Sequence, residues 1–171
     1  GLGYLMGHYT DELELYSTSL PGVQLFLDNN IIATDNTVLS FWNSSYNLIY
    51  ATNNIIDGIT NSSGLSQEDQ DQFLGEAYFL RAFIHFYLAN LFGDIPYIDT
   101  VDYRVNSKIS RLETNQVYQK MIDDLTLSKS LLSPNYEDAN RVRPNKWVAA
   151  SLLSRVHLYS ENWDKALSEA N

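Results

Sequence analysis

Residues 66–96 read SQEDQDQFLGEAYFLRAFIHFYLANLFGDIP, and this stretch decides the fold. Ser66 followed three residues later by Asp69 has the form of a capping box, with the serine oxygen accepting from an orphan backbone N–H. Phe79, Leu80, Phe83, Ile84, Tyr87, Leu88 and Leu91 then return at helical spacing and predict a broad apolar stripe. Ala77, Tyr78, Ala82 and Ala89 widen it. Only Arg81, His85 and Asn90 interrupt the middle, so a helix over Gln67–Phe92 should be buried on most sides. Gly93 supplies a left-handed stop, and Pro96 prevents continuation.

Working outward, the pattern remains helical. Upstream, Ser40 can cap a helix over 41–59, with Trp42, Tyr46, Ile49 and Ile56 on one side. Asn61-Ser62-Ser63-Gly64 would link it to the long helix as an antiparallel pair. Downstream, Thr114 can cap a helix that turns Val117, Tyr118, Met121, Ile122, Leu125 and Leu132 inward. Lys120, Asp123, Asp124 and Lys129 are then left for solvent, and Ser133-Pro134 ends the helix. Pro144 fits a helix start, and Val148, Leu152, Leu153, Val156 and Tyr159 follow at helical spacing. A turn at Glu161-Asn162 leads to a last helix near Trp163.

Segments 21–39 and 95–110 are less regular. Residues 95–103 could hold a short extended piece, Leu20-Pro21-Gly22 reads as a turn, and Leu2 to Met6 fit a helix end. In the last hairpin Leu153, Ser154, Trp163 and Ala166 occupy the large, small, aromatic and alanine positions of the tetratricopeptide repeat. The expected class is therefore all-α, tetratricopeptide-like helical hairpins with minor irregular or short extended segments, as one domain over 1–171.

Composition narrows the function. With 171 residues, 44% hydrophobic and 13% aromatic, the chain can fill a real core. The formal charge is -10, and the basic residues are scattered rather than clustered, so nucleic acid is not an expected partner. The absence of cysteine excludes disulfides and thiolate metal sites. No apolar run approaches the ~20 residues of a membrane-spanning helix. Gly1-Leu2-Gly3-Tyr4 lacks the basic start and cleavage site of a signal peptide. The chain is thus expected either to be cytoplasmic or to begin inside a mature protein, and a natural terminus at Asn171, within a helical pattern, is not expected.

Three stretches together resemble the SusD/RagB family. The first is Trp42-x3-Tyr46-x2-Ile49 with Asn53-Asn54-Ile55-Ile56. The second and most specific is Gly75-Glu76-Ala77-Tyr78-Phe79-Leu80-Arg81-Ala82, running through Phe86-Tyr87 to Leu91-Phe92-Gly93-Asp94-Ile95-Pro96. The third joins Val117-Tyr118 and Ile122-x-Asp124-Leu125 to Arg143-Pro144 and Ala149 through Tyr159. The resemblance implies the amino-terminal part of a non-enzymatic, surface-exposed outer-membrane lipoprotein of Bacteroidetes. Such a protein takes up oligosaccharides together with a SusC-like TonB-dependent transporter and reaches the membrane only through a lipid anchor outside this chain. Its ligand would be a glycan or oligosaccharide, or in some members a peptide. A tetratricopeptide-type protein-interaction adaptor is the alternative. No cofactor is implied.

Individual residues sort accordingly. A guanidinium at Arg81, amid an apolar helix, needs a partner, and Asp94 is the expected one, although it could equally cap a loop. His85 and His157 read as core or groove residues and His8 as ordinary surface. A metal held by His8 and Glu12 lacks further ligands in the pattern. Trp42, Trp147 and Trp163 read as core packing. Asp123-Asp124 and Asp11-Glu12-x-Glu14 are adjacent acids on solvated faces, not the carboxylates across a cleft that glycoside hydrolysis needs. The resemblance places glycan-facing residues just after Thr10-Asp11-Glu12. There Tyr16 could offer a stacking face, and Ser17 and Thr18 hydrogen bonds to hydroxyls. Asn29 and Asn30, after Asp28, add amide groups of the kind that hold sugars.

Overall fold

The computed structural model describes residues 1–16, 21–136 and 139–171. Among them are eight helices and no sheet: α1 (Leu2–Tyr9), α2 (Pro21–Leu27), α3 (Asn36–Thr60), α4 (Gln67–Phe92), α5 (Tyr103–Asn106), α6 (Thr114–Leu131), α7 (Lys146–Tyr159) and α8 (Trp163–Ala170). The all-α expectation holds. The chain divides into two compact units, Gly1–Ser44 and Ser45–Asn171, with the boundary inside α3.

In the smaller unit α1 packs on α2. The helix α2 begins at Pro21, where a turn over Leu20-Pro21-Gly22 was expected; Leu20 lies outside the described residues. Proline is at home in a first helical turn, where its missing N–H costs nothing. The chain then enters α3 five residues earlier than the Ser40 cap implied. Asp35 is the cap, its Oδ1 accepting from the N–H groups of Thr37 and Val38 at 2.8 and 3.3 Å. His8 is buried rather than on the surface, because its ring lies edge-on to Tyr4 at 4.6 Å and its Nδ1 is 3.1 Å from the Leu13 carbonyl.

The larger unit is a run of neighbours: α4 packs on α6, α6 on α7, and α7 on α8. The long helix α4 has its expected bounds, with Ser66 Oγ accepting from Asp69 N–H at 3.1 Å and Gly93 in the positive-φ region at 72°. Its buried face, however, is not the large apolar stripe. Gly75, Ala77, Arg81, Ala82, His85, Phe86, Leu88 and Ala89 are buried, whereas Leu80, Phe83 and Leu91 are exposed. Close helix packing selects the small residues. A Cβ on Gly75 would stand 2.7 Å from Leu132 Cγ, and Ser128 Oγ donates to the Gly75 carbonyl at 2.7 Å.

The antiparallel pair expected of α3 and α4 is not close-packed. The two meet through long side chains, Asn53 Oδ1 accepting from Arg81 at 2.9 Å and the Tyr46 ring edge-on to His85 at 6.5 Å. Residues 95–99 run beside them, joined to Leu112 by an isolated antiparallel bridge at Ile95. Of the extended piece suggested over 95–103 only that bridge forms, and Tyr103 opens α5. In the last hairpin Ser154 Oγ donates to the Ala166 carbonyl at 2.7 Å, the close approach that the repeat pattern requires. Trp163 and Trp147 are not core residues, being 60% and 58% exposed. Trp163 opens α8 at its exposed first turn, and Ala166 is the residue α8 buries.

Candidate functional site

The buried polar centre of the larger unit is built around Arg81. Its Nε and Nη2 donate to Asp124 Oδ2 and Oδ1 at 2.7 and 2.6 Å, a two-pronged geometry that matches guanidinium to carboxylate. Asp124, not Asp94, is therefore the partner, and Asp124 is buried rather than left for solvent. The reason lies in α6, where Asp124 falls beside inward-facing Met121, Leu125 and Ser128 while Asp123 turns out. Asp94 instead caps α6, its Oδ1 accepting from Thr114 N–H and Oγ1 at 2.9 and 2.8 Å. Thr114 is thus the first helical residue, and Glu113 is the N-cap.

Tyr97 donates to Asp124 Oδ2 and stacks on His85 with ring centroids 3.8 Å apart. Burial and the adjacent Asp124 carboxylate push the Tyr97 hydroxyl well above its ordinary range, so it stays protonated as a donor. Burial alone would lower the Arg81 guanidinium, but the hydrogen bonds and charge of Asp124 hold it above its ordinary range. Burial pushes His85 down to about 3. Its neutral ring bridges two backbone groups, Nδ1 lying 2.8 Å from the Arg81 carbonyl and Nε2 accepting from Ile98 N–H at 3.4 Å.

These side chains take the place of a β-ladder for residues 95–99. Tyr46 donates to the Pro96 carbonyl at 2.8 Å, Asn53 to the Ile98 carbonyl at 3.0 Å, and Arg81 to the Asp99 carbonyl at 3.5 Å. A buried backbone without sheet partners needs such donors. The role these bonds support is anchoring, with the Arg81 and Asp124 charges paired to each other. Among the described residues no group of His, Asp or Glu is arranged to hold a metal.

The residues expected to face a glycan lie in the smaller unit. Tyr16 is 94% exposed, so its ring face is open. Ser17 and Thr18 lie outside the described residues. Asn29 and Asn30 are exposed directly after α2. Asn29 adopts φ 51°, and the N–H groups of Asn29 and Asn30 donate to the carbonyls of Phe26 and Leu25 at 3.2 and 2.9 Å. That pair of bonds is the Schellman ending, in which a left-handed residue satisfies the last helical carbonyls. Asn29 therefore has a backbone role that spacing alone did not reveal; asparagine after an apolar run is the signal that could have shown it.

Comparison with known proteins places this geometry. A family model described as "Starch-binding associating with outer membrane", of the SusD-like group, matches residues 9–158. The "SusD-like protein P2" of Formosa agariphila is 35% identical over 150 residues, covering 84% of this chain and 28% of that protein. A SusD superfamily protein from Bacteroides fragilis aligns with a TM-score of 0.81 at 23% identity, covering 99% of this chain and 42% of the other. A "Laminarin binding SusD-like protein" aligns at 0.80 with 23% identity, covering 90% and 33%. At these identities the two structures show a shared fold. The chain spans about a quarter of the length of the curated relatives it matches.

Proposed function

The chain belongs to the SusD-like family, and from that premise we propose that it is part of a surface glycan-binding protein that hands oligosaccharides to a SusC-like TonB-dependent transporter. The observation that carries this reading is the family match over residues 9–158, described as starch-binding and outer-membrane-associating. The relative that binds laminarin shares the fold and so points to the same ligand class. The mechanism is affinity capture without chemistry. Tyr16 offers an open aromatic face to a pyranose ring, Ser17 and Thr18 supply hydroxyl hydrogen bonds, and Asn29 and Asn30 present amides that pair with vicinal diols. Attachment to the outer membrane runs through a lipid anchor outside this chain; no described helix is long and apolar enough to cross a membrane.

Calorimetric titration of the intact protein against a panel of soluble polysaccharides and oligosaccharides tests the reading. Saturable binding to one glycan class, with no reducing ends released, is the expected result. Silence across the panel would move the assignment to peptide capture or to a protein-interaction adaptor. Co-purification of a TonB-dependent transporter with the intact protein tests the hand-over separately.

A further inference from the structure

Two clefts in the larger unit differ in what their polar groups are doing. One, of about 460 Å³, lies beside the start of α4 and is lined by Asp69, Asp71, Phe73 and Arg143 among others. Its groups are engaged with protein: Asp69 with Ser66 at 2.6 Å, Asp71 with Gln67 at 2.8 Å, and Arg143 with Glu76 at 2.7 Å and over the Phe73 ring. It has little left to give a ligand.

The other, of about 420 Å³, lies between the first turns of α6 and the α7–α8 turn. Asn115, Tyr118, Gln119, Tyr159, Glu161 and Asn162 line it. Its volume is within the ~300–1,000 Å³ usual for small-molecule sites. Here the Tyr118 hydroxyl donates to Asn90 Oδ1 at 3.2 Å and the Asn162 amide to Ser160 Oγ at 3.0 Å, but other groups are unengaged. Asn115, Glu161 and the Tyr159 hydroxyl make no side-chain hydrogen bond among the described residues. Gln119 gives its amide to Asp123 at 2.9 Å, which leaves its carbonyl oxygen. Tyr159 is 53% exposed, with its ring held edge-on against Phe86 at 5.1 Å.

Two local choices at this rim work against economy of fold. Glu161 has φ 60°, and the N–H groups of Glu161 and Asn162 donate to the carbonyls of Leu158 and His157 at 3.2 and 2.9 Å. This is the helix-ending position that glycine fills without strain and glutamate does not. Asn162 stands at the N-cap of α8, yet its amide turns to Ser160 Oγ at 3.0 Å instead of capping the helix. A strong capping residue is left unused for capping.

We propose that this cleft is a second glycan subsite, taking a neutral pyranose unit of an oligosaccharide; the inference rests on the glycan-binding reading above. The Asn115 amide, the side-chain carbonyls of Asn162 and Gln119 and the Glu161 carboxylate match a ring of hydroxyls that both donate and accept. The Tyr159 ring gives the apolar face of the sugar a partner. No lysine or arginine lines the cleft, and Glu161 repels anions, so uronic, sulfated and phosphorylated sugars are disfavoured.

The test is calorimetry on the intact protein with a panel of neutral hexaoses (α-gluco, β-gluco, xylo and manno), using wild type, Tyr16→Ala, and the pair Asn115→Ala/Glu161→Gln. Neither member of the pair packs in the core, so thermal melting should show an intact fold. The expected result is that Tyr16→Ala leaves residual saturable binding, and that adding the cleft pair weakens this at least about tenfold, or ~1.4 kcal/mol. Residual binding unchanged by the cleft pair, or no residual binding in Tyr16→Ala, overturns the subsite and leaves glycan capture standing. Wild type that binds none of the panel overturns both.

Discussion

At the residue scale, the molecule is organised by one ion pair that water does not reach. The side chains of Arg81 and Asp124 are 8% and 7% exposed, so each charge depends on the other for solvation. Removing one partner of such a pair strands the other, at a cost of ~3–5 kcal/mol. Arg81→Met should therefore lower the denaturation free energy of the intact protein by that order. Arg81→Met/Asp124→Leu should lower it by less than the two single changes added together. Equal additivity in a denaturant cycle would mean that the pair carries no coupling.

His85 makes stability depend on pH in one direction. Its pKa is about 3 when folded against 6.5 when free, so between these values the unfolded chain binds a proton that the folded chain refuses. Its contribution is fully present above pH 6.5 and is lost progressively as pH falls toward 3. Protonation would also turn Nε2, which accepts from Ile98 N–H, into a donor facing a donor. The slope from this one group is at most ~1.4 kcal/mol per pH unit. His85→Gln should flatten denaturation midpoints measured between pH 7 and pH 4; an unchanged slope would assign the acid sensitivity to other groups. The sequence showed that Arg81 required a partner because a lone guanidinium on an apolar helix is untenable. It pointed to Asp94 and left Asp123 and Asp124 for solvent, because the inward position of Asp124 beside Met121 and Ser128 shows only once α6 is packed.

At the scale of elements, helix ends and close approaches carry the information. The contact of α4 with α6 depends on the missing side chain at Gly75, where a Cβ would meet Leu132 Cγ at 2.7 Å and Leu131 Cβ at 3.3 Å. Alanine is the better helix former, but overpacking here should dominate. Gly75→Ala is expected to destabilise by ~1–3 kcal/mol in chemical denaturation. A stabilised variant would show that α6 can move aside.

Three helices end on left-handed residues other than glycine: Asp11, Asn29 and Glu161, with φ of 59, 51 and 60°. Replacing Glu161 with glycine should raise stability by ~1 kcal/mol, because the Cβ penalty disappears. Asn29→Gly should gain less, since asparagine tolerates this conformation. Thermal melting of the two variants checks the order. These endings were hard to read because the usual glycine signal is missing, and α2 was hidden because Pro21-Gly22 spells a turn as readily as a helix start. The bounds of α4, with a serine N-cap and a glycine stop, were fully legible. Which face of α4 would be buried was not, because large apolar side chains suggest burial while close packing selects the small ones.

At the scale of the whole molecule, the proposed glycan capture has to work with the charge of the chain. The chain carries -10 overall from 11 basic and 21 acidic residues. Arg81, Arg104, Lys120, Lys129 and Arg143 are already paired with carboxylates. The other six basic residues are scattered along the sequence rather than clustered, and the exposed candidate residues Tyr16, Asn29 and Asn30 are uncharged. Capture should therefore rest on stacking and neutral hydrogen bonds, which salt does not screen, whereas a phosphate- or sulfate-directed site loses affinity steeply as salt rises. The affinity of the intact protein for its neutral glycan is expected to change less than about twofold between ~0.05 and ~0.5 M NaCl, since the Debye length shortens over that range while the short-range contacts stay the same. Sulfated or uronic polysaccharides should bind weakly at low salt, if at all, and never more tightly there than at high salt. A steep loss of affinity with added salt would instead place charge recognition at the centre of capture and remove Tyr16 and the asparagines from it.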